Sequence, residues 1–196
     1  MTTAEKLLRA KQDFGDVYSA GYEKGKAEGG GADNTLLDSV IDRSITNIES
    51  NVTAIGDNAF YKCSKLTRIS FPNAVTVGIA AFQNCSFVSV ALPNAVSVGN
   101  YCFASNAKLT TAEFDRCESF GNLCFYQDSK LIRLIIRSNN VATLVNSNAF
   151  NQTPIASGTG FIYVSDELVD EYKSATNWST FADQIKGISE LEGVSV

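Results

Sequence analysis

A short cassette ending in phenylalanine returns four times along this chain at almost one interval. The copies are Gly56–Asp57–Asn58–Ala59–Phe60, Gly78–Ile79–Ala80–Ala81–Phe82, Gly99–Asn100–Tyr101–Cys102–Phe103 and Gly121–Asn122–Leu123–Cys124–Phe125. Their phenylalanines stand 22, 21 and 22 residues apart, and a looser fifth copy, Asn148–Ala149–Phe150, follows 25 residues later. A fixed period in the twenties means stacked coils of a solenoid, because one such unit cannot bury its own apolar residues. Solenoids more often present a surface than enclose a reaction pocket.

The rest of each unit keeps the same step. Leu66, Phe87, Leu109 and Leu131 each open an L-x-x-I-x-F pattern, as in Leu66–Thr67–Arg68–Ile69–Ser70–Phe71. Its last two apolar positions lie two apart, the period of a strand with one buried face. Pro72–Asn73 and Pro93–Asn94 end two of these strands, since proline gives no N–H to a ladder and favours a turn. The glycine that opens each cassette is expected where a side chain would strain the backbone. Each repeat of about 22 residues therefore reads as one short strand, a turn and a short helical or irregular return leg.

Ile55–Gly56, Ala59–Phe60, Cys63, Leu66, Ile69 and Pro72 spell an I-G-x-x-A-F-x-x-C-x-x-L-x-x-I-x-x-P phrase. In this the chain resembles the BspA-like leucine-rich repeat family over about residues 45–164. The second repeat is one residue shorter between Cys85 and Pro93, the third carries Asn106 at the position of Cys63 and Cys85, and the third and fourth lack the proline. The resemblance implies a right-handed leucine-rich repeat solenoid used for adhesion or partner binding.

Composition narrows the function. A net charge of −5 and a pI near 4.8 disfavour nucleic acid and anionic membrane surfaces, which reward basic patches. No apolar run reaches the roughly 18 residues of a membrane span. Met1–Leu8 show neither a long apolar stretch nor a small-residue cleavage site, so no signal peptide is expected. The expected location is a virion or the cytoplasm, or the cell surface if an export signal stands elsewhere. Histidine is absent, which removes the commonest general base, the usual triads and most zinc sites. No G-x-S-x-G, Walker or G-x-G-x-x-G motif occurs, and Gly29–Gly30–Gly31 lack the Lys–Ser/Thr of a phosphate loop. The carboxylate pairs Asp166–Glu167 and Asp170–Glu171 are expected on a solvated helix face. The chain is thus read as a non-enzyme with no catalytic residue, no metal and no cofactor.

The five cysteines exclude a complete disulfide framework by their odd number. Cys63 and Cys85 share one repeat position, and Cys102 and Cys124 share the slot of Ala59 and Ala81, which marks both as small buried apolar sites. Cys117 stands off this register and is assigned no role.

The flanks differ from the repeats. Residues 3–28 read as a helix, in which Leu7, Ala10, Phe14 and Val17 follow the 3-then-4 spacing of a coiled-coil seam for about two heptads. The flexible joint Gly29–Gly31 closes this first segment, 1–31. Two readings stand: a loosely docked leader, or a helix through which the chain forms a homo-oligomer. The phrase Ala20–Glu28 resembles leaders placed before such repeats in phage and prophage structural proteins. Residues 32–54 read as an N-terminal cap with half a repeat, in which Ile45–Ile48 align with Leu66–Ile69 and Leu36, Leu37, Val40 and Ile41 cover the end of the stack. Residues 55–150 hold the repeats, and 151–196 form an α/β C-terminal cap. In that cap Phe161–Val164 is a strand, Ser165 N-caps a helix over Asp166–Ala175, and Trp178 is core.

If Ile69, Val90, Ala112 and Leu134 point inward, their strand neighbours point outward. One outward row is Asn47, Arg68, Ser89, Thr111 and Arg133; the next is Glu49, Ser70, Ala91, Glu113 and Ile135. These ten residues are the candidate partner-binding face. The expected function is a binding module that meets a protein or cell-surface glycan, carried as a phage or prophage tail-associated protein. The alternatives are a bacterial surface adhesin and a self-associating structural repeat protein.

Overall fold

The computed structural model describes residues 43–192 of the 196-residue chain. The expected N-terminal helix, with Leu7, Ala10, Phe14 and Val17, and the cap residues Leu36, Leu37, Val40 and Ile41 lie outside the described residues.

Two parallel ladders run along the molecule. The first contains the strands foreseen from the L-x-x-I-x-F pattern: β1 (Asn47–Glu49), β3 (Arg68–Ser70), β5 (Ser89–Ala91), β7 (Thr111–Phe114) and β9 (Arg133–Ile136). The C-terminal region extends it with β11 (Phe161–Val164) and β12 (Ile185–Gly187). Register follows the repeat: Ile48 stands beside Ile69, Val90 beside Ala112, and Ala112 beside Leu134. The half repeat read at Ile45–Ile48 therefore occupies its expected place.

The second ladder corrects the one-strand reading of each repeat. Strands β2 (Ala54–Ile55), β4 (Thr76–Val77), β6 (Ser97–Val98), β8 (Ser119–Phe120) and β10 (Thr143–Leu144) form a five-stranded parallel sheet. Each strand is only two residues long, the first partly exposed or exposed and the second buried.

The first ladder is broken once. Strand β1 pairs with β3, but β3 makes no ladder with β5, and a separate sheet runs from β5 to β12. The break falls at the repeat that lacks one residue: Cys85–Ser86–Phe87 stands where the other repeats have Cys63–Ser64–Lys65–Leu66 and Asn106–Ala107–Lys108–Leu109. The short lead-in shifts β5 out of pairing with β3 while leaving the core intact.

The return legs between the ladders are turns, with a helical segment only at the fifth coil, Ser147–Phe150. They are nevertheless regular. Asn58, Phe60 and Lys62 donate their N–H groups to Ile79, Ala81 and Gln83 of the next coil at 2.7–2.8 Å. Ala80, Phe82 and Asn84 do the same to Asn100, Cys102 and Ala104, and Tyr101, Phe103 and Ser105 to Asn122, Cys124 and Tyr126. The intervening amides turn back within their own coil, as Ala59 does to Gly56 and Tyr61 to Asn58. This alternation puts two residues of each leg in the left-handed region: Asn58 and Lys62, Ala80 and Asn84, Tyr101 and Ser105, Leu123 and Gln127. Side chains seldom adopt that conformation; here inter-coil hydrogen bonds hold it, three from each of the first three legs and two, Phe125 to Ala149 and Gln127 to Asn151, from the fourth.

The core between these three faces is a column of rings. Phe60, Phe82, Phe103, Phe125 and Phe150 stack with centroids 5.2–5.6 Å apart and planes within 9° of parallel. Phe71, Phe87, Phe114 and Phe120 flank the stack at steeper angles. Aromatic pairs at such distances add to the burial of their area. The looser fifth copy is thus a full member of the column.

The cap closes the last coil. Trp178 and Phe181 pack on Phe150 at 6.0 and 5.1 Å, so Trp178 is core, as its sequence context suggests. The helix foreseen over Asp166–Ala175 is instead a 3-10 turn, Asp166–Leu168, followed by α1, Val169–Ser174. Ser165 makes no cap there; its hydroxyl donates to Ser138 O at 3.3 Å. Asp166, Glu167, Asp170 and Glu171 are exposed, as read from the sequence. A last helix, α2 (Ile188–Glu192), packs against β11 and β12.

Candidate interaction surface

The outward residues of the first ladder form the face that the alternation of the strands assigns to solvent. Asn47, Glu49, Arg68, Ser70, Ser89 and Ala91 are exposed, and Thr111, Glu113 and Arg133 are half-buried. Parallel register sets Thr111 between Ser89 and Arg133, and Glu113 between Ala91 and Ile135.

Ile135 does not belong to this face, and its assignment to it is corrected. It is only 3% exposed. Its neighbour in register is Tyr163, itself buried, on the strand against which α2 packs. Lys186, beside Tyr163 on β12, lies over the Phe161 ring at 4.5 Å and pairs with Glu190 of α2 at 3.4 Å. The cap therefore ends the accessible face near β9.

Two apolar residues extend the face in a column that the sequence reading did not select. Val88 is 56% exposed and Ile132 is 40% exposed. They stand one residue before β5 and β9, in the register of Thr67 and Thr110. Those threonines donate their hydroxyls to Thr46 O and Val88 O of the preceding coil. A valine and an isoleucine in a column that otherwise carries hydrogen-bonding threonines is the signal that sequence alone offered.

The charges on the face are partly paired. Arg137 bridges Glu113 at 2.9 Å and Asp115 at 3.3 Å across neighbouring coils. All three groups are substantially exposed, so the pairs orient side chains more than they stabilise the fold. Arg68 and Arg133 bracket the smaller residues Ser89, Ala91 and Thr111.

The cysteines lie away from this surface, in the core, and none of the five forms a disulfide. Cys117, given no place from the sequence, stands in the column of Ala74 and Ala95, three residues after Phe114 as these follow Phe71 and Leu92. Burial pushes its thiol up to about 12. Among the described residues no three of Cys, Asp and Glu gather in a way that could hold a metal ion, and no helix is long and apolar enough to cross a membrane.

These features are those of stacked leucine-rich repeats that work as a protein-binding or adhesive surface. Residues 40–159 match, in six copies, the family described as the BspA type leucine rich repeat region. The chain belongs to that family. No curated protein matches the chain.

Proposed function

We propose that this chain is a non-enzymatic binding module that holds its partner on the outer face of the first ladder, between β1 and Arg133. The observation that carries the reading is the row of exposed or half-buried positions Asn47, Arg68, Ser89, Thr111 and Arg133, with Val88 exposed at its centre. Small residues at Ser70, Ser89 and Ala91 let a partner approach the strands, and the bracketing arginines supply directional donors. The partner is a protein or a cell-surface glycan. The binding test compares the full chain with a Ser89→Arg/Ala91→Arg variant on glycan arrays and on intact bacterial cells. Binding lost by the variant with an unchanged circular dichroism spectrum supports this face; equal binding by both overturns it.

Carriage by a phage or prophage particle is a further part of the proposal, and the phrase Ala20–Glu28 supports it. Tail genes beside the coding sequence are the expected context. Self-association through Leu7, Ala10, Phe14 and Val17 is tested by light scattering on the full chain and on a variant lacking 1–31; an unchanged mass rejects it.

A further inference from the structure

The residue three places after each stacked phenylalanine forms a column of its own: Cys63, Cys85, Asn106, Asp128 and Thr153. All five are buried. Three of these side chains donate to a phenylalanine carbonyl. Cys85 Sγ donates to Phe60 O at 3.3 Å, Asn106 Nδ2 to Phe82 O at 3.1 Å and to Phe103 O, and Thr153 Oγ1 to Phe150 O at 2.7 Å. The column also accepts along its length. Asn106 Oδ1 takes the Cys85 N–H at 2.6 Å, and Asp128 Oδ1 takes the Asn106 N–H at 2.7 Å.

Asp128 thus reproduces the accepting half of Asn106. Its other oxygen, Oδ2, is the counterpart of the donating Asn106 amide, and it is buried without a hydrogen-bond partner among the described residues. A carboxylate has no proton to give, whereas a carboxylic acid is both donor and acceptor, like an amide. We propose that Asp128 is held as a neutral carboxylic acid whose Oδ2–H fills the donor role that Asn106 and Thr153 fill on either side, so that its ionisation loosens the join between the third and fourth coils.

The surroundings agree. Burial pushes the Asp128 carboxyl well above the usual carboxylate range, opposed by the Asn106 N–H. The titratable groups that act across this site are the thiols of Cys102 on the third coil and Cys124 on its own, each pushed up by burial. The fifth coil's residue in this column is Thr153, which does not titrate. Lys130, two residues on, is exposed. An unfolded aspartate ionises near pH 3.9, so above that value the folded chain binds one proton more than the unfolded one. The stabilisation is then complete below about pH 4 and falls as pH rises, until Asp128 ionises within the fold.

The test is chemical denaturation of the full wild-type chain and of Asp128→Asn between pH 4 and 8. The amide supplies the same acceptor and a permanent donor. The ratio of folding constants, variant over wild type, is expected to rise with pH by up to about tenfold per unit; a flat or falling ratio overturns the proposal. Carboxyl carbon NMR of the wild type decides the matter even if the variant fails to fold. One aspartate resonance still protonated at neutral pH supports the neutral acid, and ordinary titration of every aspartate overturns it.

Discussion

Trp178 and Ala142 are joined through the last coil: the indole Nε1–H donates to Ala142 O at 2.6 Å. The same alanine gives its N–H to the hydroxyl of Tyr172 at 3.0 Å. Ala142 precedes β10, the terminal strand of the second ladder, so no further coil is there to take these backbone groups. The cap supplies one aromatic partner for each. Trp178→Phe keeps a ring against Phe150 but leaves the Ala142 carbonyl buried and unpaired, at about 1–3 kcal/mol. Urea denaturation should show that loss, and hydrogen exchange should place it first in the fifth coil and cap. Uniform loss of protection from Phe60 to Phe150 would argue against a local role.

Phe103 lies at the middle of the ring column, within 5.6 Å of both Phe82 and Phe125 and beside Phe87 and Phe114. Phe103→Ala removes contacts on both sides and opens a cavity that neighbouring coils, tied by three faces of hydrogen bonds, cannot readily close. The expected loss is about 3–5 kcal/mol by denaturation. Phe103→Leu, which leaves a smaller void, should lose clearly less.

Gly99 and Gly158 are glycines for different reasons, and substitution should separate them. A Cβ on Gly99 would stand 2.6–2.7 Å from Gly78 C, Gly78 O and Ile79 N, all backbone of the preceding coil. Gly158 has φ +83°, and a Cβ there would meet only Gln184 Nε2, at an ordinary contact distance of 3.8 Å. Gly99→Ala should therefore destabilise by overpacking, about 1–3 kcal/mol or more, and Gly99→Asn further still. Gly158→Ala should lose about 1–2 kcal/mol through its left-handed backbone, and Gly158→Asn less, since asparagine tolerates that region. Thermal midpoints of the four variants check the order.

The contrast also shows what the sequence could and could not convey. The ring column and the first ladder were legible because each has a residue of distinctive size at a fixed interval: Phe60 to Phe150, and Ile69 to Leu134. The glycines were legible as a constraint, but the cause at Gly78, Gly99 and Gly121 is contact with the preceding coil rather than a strained φ. The second ladder was not legible, because a strand such as Ser97–Val98 offers one buried residue and no alternation to count. The regular return legs were hidden as well: Ala80 and Tyr101 do not announce a left-handed backbone, which follows from hydrogen bonds to the next coil. Ile135 was misplaced because alternation within a strand carries no information about the strand of the C-terminal cap that sets Tyr163 beside it.

The buried thiols give the fold a second, alkaline limit. Cys102 and Cys124 are fully buried in the return legs, and burial is the main cause of their raised values, as it is for Cys85 and Cys117. An unfolded cysteine ionises near pH 8.5; above that, the unfolded chain sheds protons that the folded chain keeps. Stability is therefore intact below the unfolded thiol value and falls as pH climbs past it. Because only the thiolate attacks, native protein at pH 8 should leave all five cysteines unreacted with Ellman's reagent, while urea-unfolded protein gives five equivalents. Replacing Cys102 and Cys124 by alanine, the residue at the same position in the first two repeats, should flatten the decline above pH 8.5 relative to wild type in parallel denaturation series. Rapid labelling of a native thiol, or an undiminished alkaline slope in the double variant, would show that these side chains are reached by solvent in the folded coil.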